Sequence, residues 1–100
     1  MSRAVRFTPL AEEDVAEAYG DYEAARGGLG DEFLAEVGRV LDLIGAYPEA
    51  GPTVHRDLRR ALVHRFPYSL YYRLDREAEV VEVRAVVHQR RHPRTWRRRA

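Results

Sequence analysis

A chain of 100 residues, 45% hydrophobic and 33% charged, has room for one small domain with one core. It contains no cysteine, which excludes a disulfide framework and a thiolate metal site and suits a reducing compartment. The net charge of +1 hides a division: residues 1–50 carry four Arg against eleven Asp and Glu, whereas residues 51–100 carry thirteen Arg against five acids, which predicts a polyanionic or acidic partner for the second half. Every basic residue other than His is Arg, a side chain that binds phosphate or carboxylate through two parallel N–H groups but is a poor general base. The opening Met1-Ser2-Arg3-Ala4-Val5-Arg6 lacks the apolar stretch of a signal peptide, and no apolar run reaches the roughly 18 residues needed to span a bilayer. A soluble cytoplasmic protein with no membrane contact is expected.

Ala4 to Phe7 alternates as a short strand, and Thr8-Pro9 then offers an N-cap and a proline at the first helical position. Glu12, Glu13 and Asp14 favour the positive end of that helix, and Val15, Ala18, Tyr19 and Tyr22 recur at helical spacing until Gly27 and Gly28 stop it. A second helix is predicted from about Asp31 to Tyr47, with Phe33, Val37, Val40, Leu41 and Ile44 on one stripe and Pro48 beyond its end. The two form an antiparallel hairpin. Pro48 to Asp57 reads as a loop by its turn residues.

From Leu58 the period changes to two. A strand is expected over Leu58 to Arg65. A second alternates Tyr68, Leu70, Tyr72 and Leu74 with Ser69, Tyr71 and Arg73, and a third alternates Val81, Val83, Ala85 and Val87 with Glu82, Arg84, Val86 and His88. The fold class is therefore α+β: an N-terminal strand and a helical hairpin packed on a mainly antiparallel sheet, as a single domain over 1–100 with a basic tail at 89–100. With the apolar face under the helices, Arg59, Arg65, Tyr71, Arg73, Arg84 and His88 are expected together on the other face, which suits a phosphodiester or an acidic peptide. The bland alternative is a solvated face of paired charges. His88 has the only imidazole at a strand position on that face, and a pKa of about 6.5 makes it the best acid or base available. Arg90, Arg91 and Trp96 in the tail are candidate partner contacts, against the alternative of a solvated end whose Trp packs back on the domain.

His88 and His92 are four apart, as two zinc ligands on a helix would be, but Pro93 and the strand context oppose it, so no metal is expected. Gly27-Gly28-Leu29-Gly30 joins two helices instead of following a strand, and therefore is a turn and no phosphate loop. No cofactor is expected.

The ordered set of Arg65-Phe66-Pro67-Tyr68, the Tyr-rich strand to Arg73, the valine-rich run Val80–Val87 and the basic cluster His88-Gln89-Arg90-Arg91-His92-Pro93 resembles the RelE/ParE superfamily of type II toxin–antitoxin toxins. The first half, with its strand, Tyr19 and Tyr22, Gly-rich link and Phe33 helix, follows the same order, so nearly the whole chain is covered. The resemblance implies a growth-inhibiting toxin, with a plasmid-stabilising role, in a hetero-oligomer with a ParD-like or RelB-like antitoxin. RelE-type relatives are ribosome-dependent mRNA endoribonucleases, and in that reading His88, Arg65 and Arg84 are the catalytic candidates. Such enzymes draw acid–base groups from Lys, Glu, His and a C-terminal tyrosine; this chain has no Lys, and after His88 it offers Trp96 and no tyrosine. The ParE branch, which binds and poisons DNA gyrase without catalysis, is the better likeness. Arg59, Tyr71, Arg73, Arg90, Arg91 and Trp96 are then the expected target- or antitoxin-binding residues.

Overall fold

Two residues start the first helix. In the computed structural model, which describes residues 2–100, Thr8 Oγ1 accepts a hydrogen bond from Ala11 N–H at 3.2 Å, and Pro9 fills the first helical position. Helix α1 runs Pro9–Ala25 and α2 runs Leu29–Ala46. Gly28 joins them at φ 89°, a left-handed conformation that side-chain-bearing residues rarely adopt. Phe33, Val37, Val40 and Ile44 on α2 are buried, the stripe expected from their spacing.

The strands are β1 (Ala4–Phe7), β2 (Thr53–His55), β3 (Leu58–Leu62), β4 (Tyr68–Asp75) and β5 (Val80–His88). They form one sheet in the order β1-β5-β4-β3-β2, with β1 parallel to β5 and every other pair antiparallel. The α+β architecture inferred from the pattern is thus the one found. The helices cover one face, where Tyr22, Phe33, Phe66 and Tyr68 pack with ring centroids 4.9 to 6.0 Å apart beneath Leu70, Tyr72, Val81 and Val83. Burying each fully enclosed Leu, Val or Phe contributes about 1.5–3 kcal/mol, so this face holds most of the fold's hydrophobic free energy.

Three expectations need correction, and one pair of alternatives is decided. The segment Pro48–Asp57 is not all loop, because Thr53–His55 pairs with β3. The strand expected to reach Arg65 stops at Leu62: Val63 N–H bonds Tyr68 C=O and the intervening turn places Arg65 at φ 73°. In the basic tail it is the alternative of a Trp packed back on the domain that is found, with a short helix α3 (Arg94–Arg97) laid on the sheet. Most consequential is a β-bulge: Tyr71 pairs with Ala85 but Tyr72 with Val83, so Arg84 is an extra residue and the parity of β5 changes there. Val81, Val83 and Val86 face the helices, whereas Ala85 and Val87 face away, and the single alternation expected for the strand breaks in two.

Candidate functional site

The bulge decides where the candidate residues go. His88 follows Val86 to the helical side, where its ring meets Tyr68 edge-on with centroids 5.4 Å apart and its Nδ1 accepts Arg90 N–H at 3.0 Å. Arg84 stays on the outer side, tied to Glu82 at 2.6 Å and donating through Nε to the Arg99 carbonyl. Arg65 reaches neither, because its left-handed turn aims the guanidinium at α2, where Nη2 donates to Glu32 Oε1 at 3.0 Å. Those hydrogen bonds, the one from Arg65 first and one from Arg26 second, hold the Glu32 carboxyl below its ordinary pKa. The three residues expected to share one face lie on different sides of the sheet.

The outer face is itself a second, smaller core. Tyr71 and Trp96 stack with centroids 4.5 Å apart and planes 10° from parallel, and Leu58, Ala85 and Val87 complete the cluster. Tyr71 and Trp96 are therefore buried against each other. Arg59 and Arg73 are also engaged: Arg59 donates to the Glu49 and Gly51 carbonyls, and Arg73 Nε donates to Asp57 Oδ2 at 3.0 Å. Of the expected contact residues only Arg90 and Arg91 are exposed with no side-chain hydrogen bond or ion pair among the described residues.

Asp14 was not expected at a site, although it sits between Ala11 and Ala18 on the buried stripe of α1, where an acid needs a partner. Its Oδ2 accepts the Val86 N–H, which lies past the last residue of β5 paired to β1, at 3.0 Å, and Arg99 Nη1 at 2.9 Å. Arg99 also donates to the Arg84 carbonyl, so one carboxylate joins α1, β5 and the tail. Beside this clasp lies a polar cleft of about 90 Å³, lined among others by Glu17, Tyr68, His88 and Arg91. Burial, and secondarily the nearby Tyr22, Asp21 and Glu17, push the Tyr68 phenol above its ordinary pKa.

The opposite edge is apolar. Leu43 on α2 and Leu62 on β3 are 52% and 61% exposed, and shallow hollows of about 230 and 170 Å³ between the helix and the strand share Val40, Leu43 and Leu62. The β2 strand pairs with Leu58 and Arg59 alone, and Arg60 N–H reaches the Pro52 carbonyl, so the edge of β3 at Leu62 is open. The signal in the sequence was a Leu at a helical position off the core stripe, too common to be singled out. No group of three or more His, Asp or Glu side chains among the described residues is arranged to hold a metal.

The family described as ParE toxin of type II toxin-antitoxin system, parDE, matches residues 5–93. No curated protein matches the chain in sequence. Among solved structures, the fold matches a chain of the chromosomal ParDE toxin–antitoxin system from P. aeruginosa with a TM-score of 0.74 and 16% identity, over 87% of this chain and 96% of that one. That likeness is one of fold. A chain of the toxin–antitoxin complex RelBE2 from Mycobacterium tuberculosis matches with a TM-score of 0.66 and 26% identity, over 88% of this chain and 99% of that one.

Proposed function

The chain belongs to the family of ParE toxins of type II toxin–antitoxin systems, and we propose that it acts by binding DNA gyrase and trapping its cleaved complex with DNA, neutralised by a cognate antitoxin. The observation that carries this reading is the Trp96–Tyr71 stack. Metal-free cleavage of RNA needs a base for the 2′-hydroxyl, cations on the phosphorane and an acid for the leaving oxygen, all converging on one phosphate. Here the outer sheet face is filled by an indole, Arg84 is occupied by Glu82 and the tail, and Arg65 points to α2. A toxin that works by gripping a protein requires a surface and no such convergence.

The antitoxin's place in this reading is the apolar strip of α2 and the open β3 edge. An extended segment pairing with Leu62 would set an apolar side chain against Leu43 and Val40. An acidic, partly unstructured segment is favoured there by Arg60, which lines one of the hollows and has no acidic partner among the described residues, so the complex tightens as salt falls. Replacing both Leu43 and Leu62 by Asp is expected to abolish co-purification with the product of the adjacent small reading frame while the far-UV spectrum stays native. Retained complex formation would remove this surface from the reading.

For the target, the chain is titrated into a supercoiling reaction with gyrase from its own source. Dose-dependent inhibition with accumulation of cleaved DNA is expected; absence of both would turn the search to mRNA on the ribosome. One observation favours that second reading, an RelE-like endoribonuclease: the cleft that brings His88, Tyr68 and Arg91 together. His88→Ala separates the two. Loss of toxicity with fold and antitoxin binding intact supports catalysis, and unchanged toxicity excludes it.

A further inference from the structure

The fold sorts the chain's arginines by partner. Nine of the seventeen sit in ion pairs with Asp or Glu, and Arg59 is held by carbonyls. Seven have no such partner among the described residues, and five of those, Arg90, Arg91, Arg94, Arg97 and Arg98, fall in the last eleven positions. No acid follows Glu82 in the sequence. The tail is therefore the one segment where positive charge is gathered and left uncompensated, against its own repulsion.

These arginines are also held in place. On α3 and its flank, Trp96 and Arg99 turn inward, to Tyr71 and Asp14, while Arg94, Arg97 and Arg98 at spacings of three and four turn outward and are exposed. Arg97 lies 5.5 Å over the Trp96 ring and has no hydrogen bond or ion pair from its side chain among the described residues. A docked platform of this kind loses less freedom on binding than a loose tail of the same composition.

We infer that the outward face of the tail, built on Arg94, Arg97 and Arg98 with Arg90 and Arg91 beside them, binds the phosphodiester backbone of duplex nucleic acid without reading its sequence. Guanidinium forks match phosphate oxygens, and release of counterions supplies the free energy. An acidic protein segment fits less well. A peptide needs apolar anchors, and the large exposed apolar side chains among the described residues, Leu10, Leu34, Leu43, Tyr47 and Leu62, all precede the tail in sequence, so the tail supplies none of its own. A single strand fits less well too, since it calls for open aromatic platforms and both Trp96 and Tyr71 are used in their mutual stack. The inference does not depend on gyrase being the target.

The test is fluorescence anisotropy of a labelled 20-base-pair duplex of arbitrary sequence titrated with the full chain at 50 and 200 mM salt. Three to five phosphate contacts give a log–log salt slope of about −2.7 to −4.5, hence a roughly 40- to 500-fold loss of affinity between those two concentrations. The triple variant Arg94→Gln, Arg97→Gln, Arg98→Gln should flatten that slope by about 2.7, with the deuterium exchange of the tail amides unchanged to show the tail still docked. A control of equal charge, Arg3→Gln, Arg26→Gln, Arg76→Gln, should leave the slope as it was. Equal losses in both triples would mean that net charge alone attracts the duplex, and the inference falls. It falls equally if the chain at 50 mM salt does not bind the duplex, if single-stranded RNA binds more tightly than duplex, or if a polyglutamate peptide outcompetes the duplex for the same three arginines.

Discussion

Removing the Asp14 carboxylate should loosen the tail and the bulge together. Asp14 and Arg99 side chains are only 15% and 17% exposed, so the pair lies largely out of water. In Asp14→Ala the Val86 N–H loses its acceptor, and Arg99 keeps only the Arg84 carbonyl. An unsatisfied buried donor costs about 1–3 kcal/mol, and stripping a largely buried charge of its counter-ion raises the total to about 3 kcal/mol. For a domain of this length each kcal/mol lowers the melting temperature by roughly 4–8 °C, so a drop of about 12–24 °C is expected. Asp14→Asn, which retains an oxygen for Val86, should lose less than half as much. Urea titration followed by far-UV dichroism measures the loss, and Trp96, the sole tryptophan, reports the tail separately in fluorescence. A loss under about 1 kcal/mol, or a tryptophan signal that melts with the helices as in the parent, would refute the role given to this carboxylate.

Two further outcomes follow from ionisation. Tyr22, Tyr68 and Tyr72 all titrate above 10.0, burial being the leading cause for each. A folded-state pKa above the unfolded one gives stability that is whole below the unfolded value and lost as pH climbs toward the folded one, so urea midpoints should hold steady through neutral pH and fall once pH passes 10.0; a midpoint already falling at pH 8 would contradict it. Arg65→Gln should let the Glu32 carboxyl, followed by NMR, return upward toward 4.5, because its leading hydrogen bond is gone; an unmoved titration would mean that Arg65 does not face α2 in solution.

The elements most legible in the sequence are those whose chemistry is redundant. Thr8, Pro9 and the glycines mark the helical hairpin at both ends, and the alternation from Tyr68 to Leu74 is unbroken, so these are found within a few residues of their predicted bounds. The bulge was not legible. Its single trace is the adjacent pair Val86-Val87, one apolar residue more than alternation needs, and no glycine marks Arg84. That one-residue change of parity is why His88 and Arg84 part company and why the expected grouping of cations dissolves. The tail was unreadable for a different reason: a four-residue helix has no period to detect, and what docks it is a stack between residues 25 apart in sequence.

The shift of parity at Arg84 also leaves the molecule with two cores that share a strand. β5 is paired on both edges, to β1 and β4, and supplies Val81, Val83 and Val86 to one core and Ala85 and Val87 to the other. The small core can open by undocking α3 while the helical hairpin stays closed, so the tail amides should exchange with deuterium in a sub-global event well below the free energy of unfolding. The amides of β5 between Val81 and Val87 should be the last to exchange, since freeing them requires both cores to come apart.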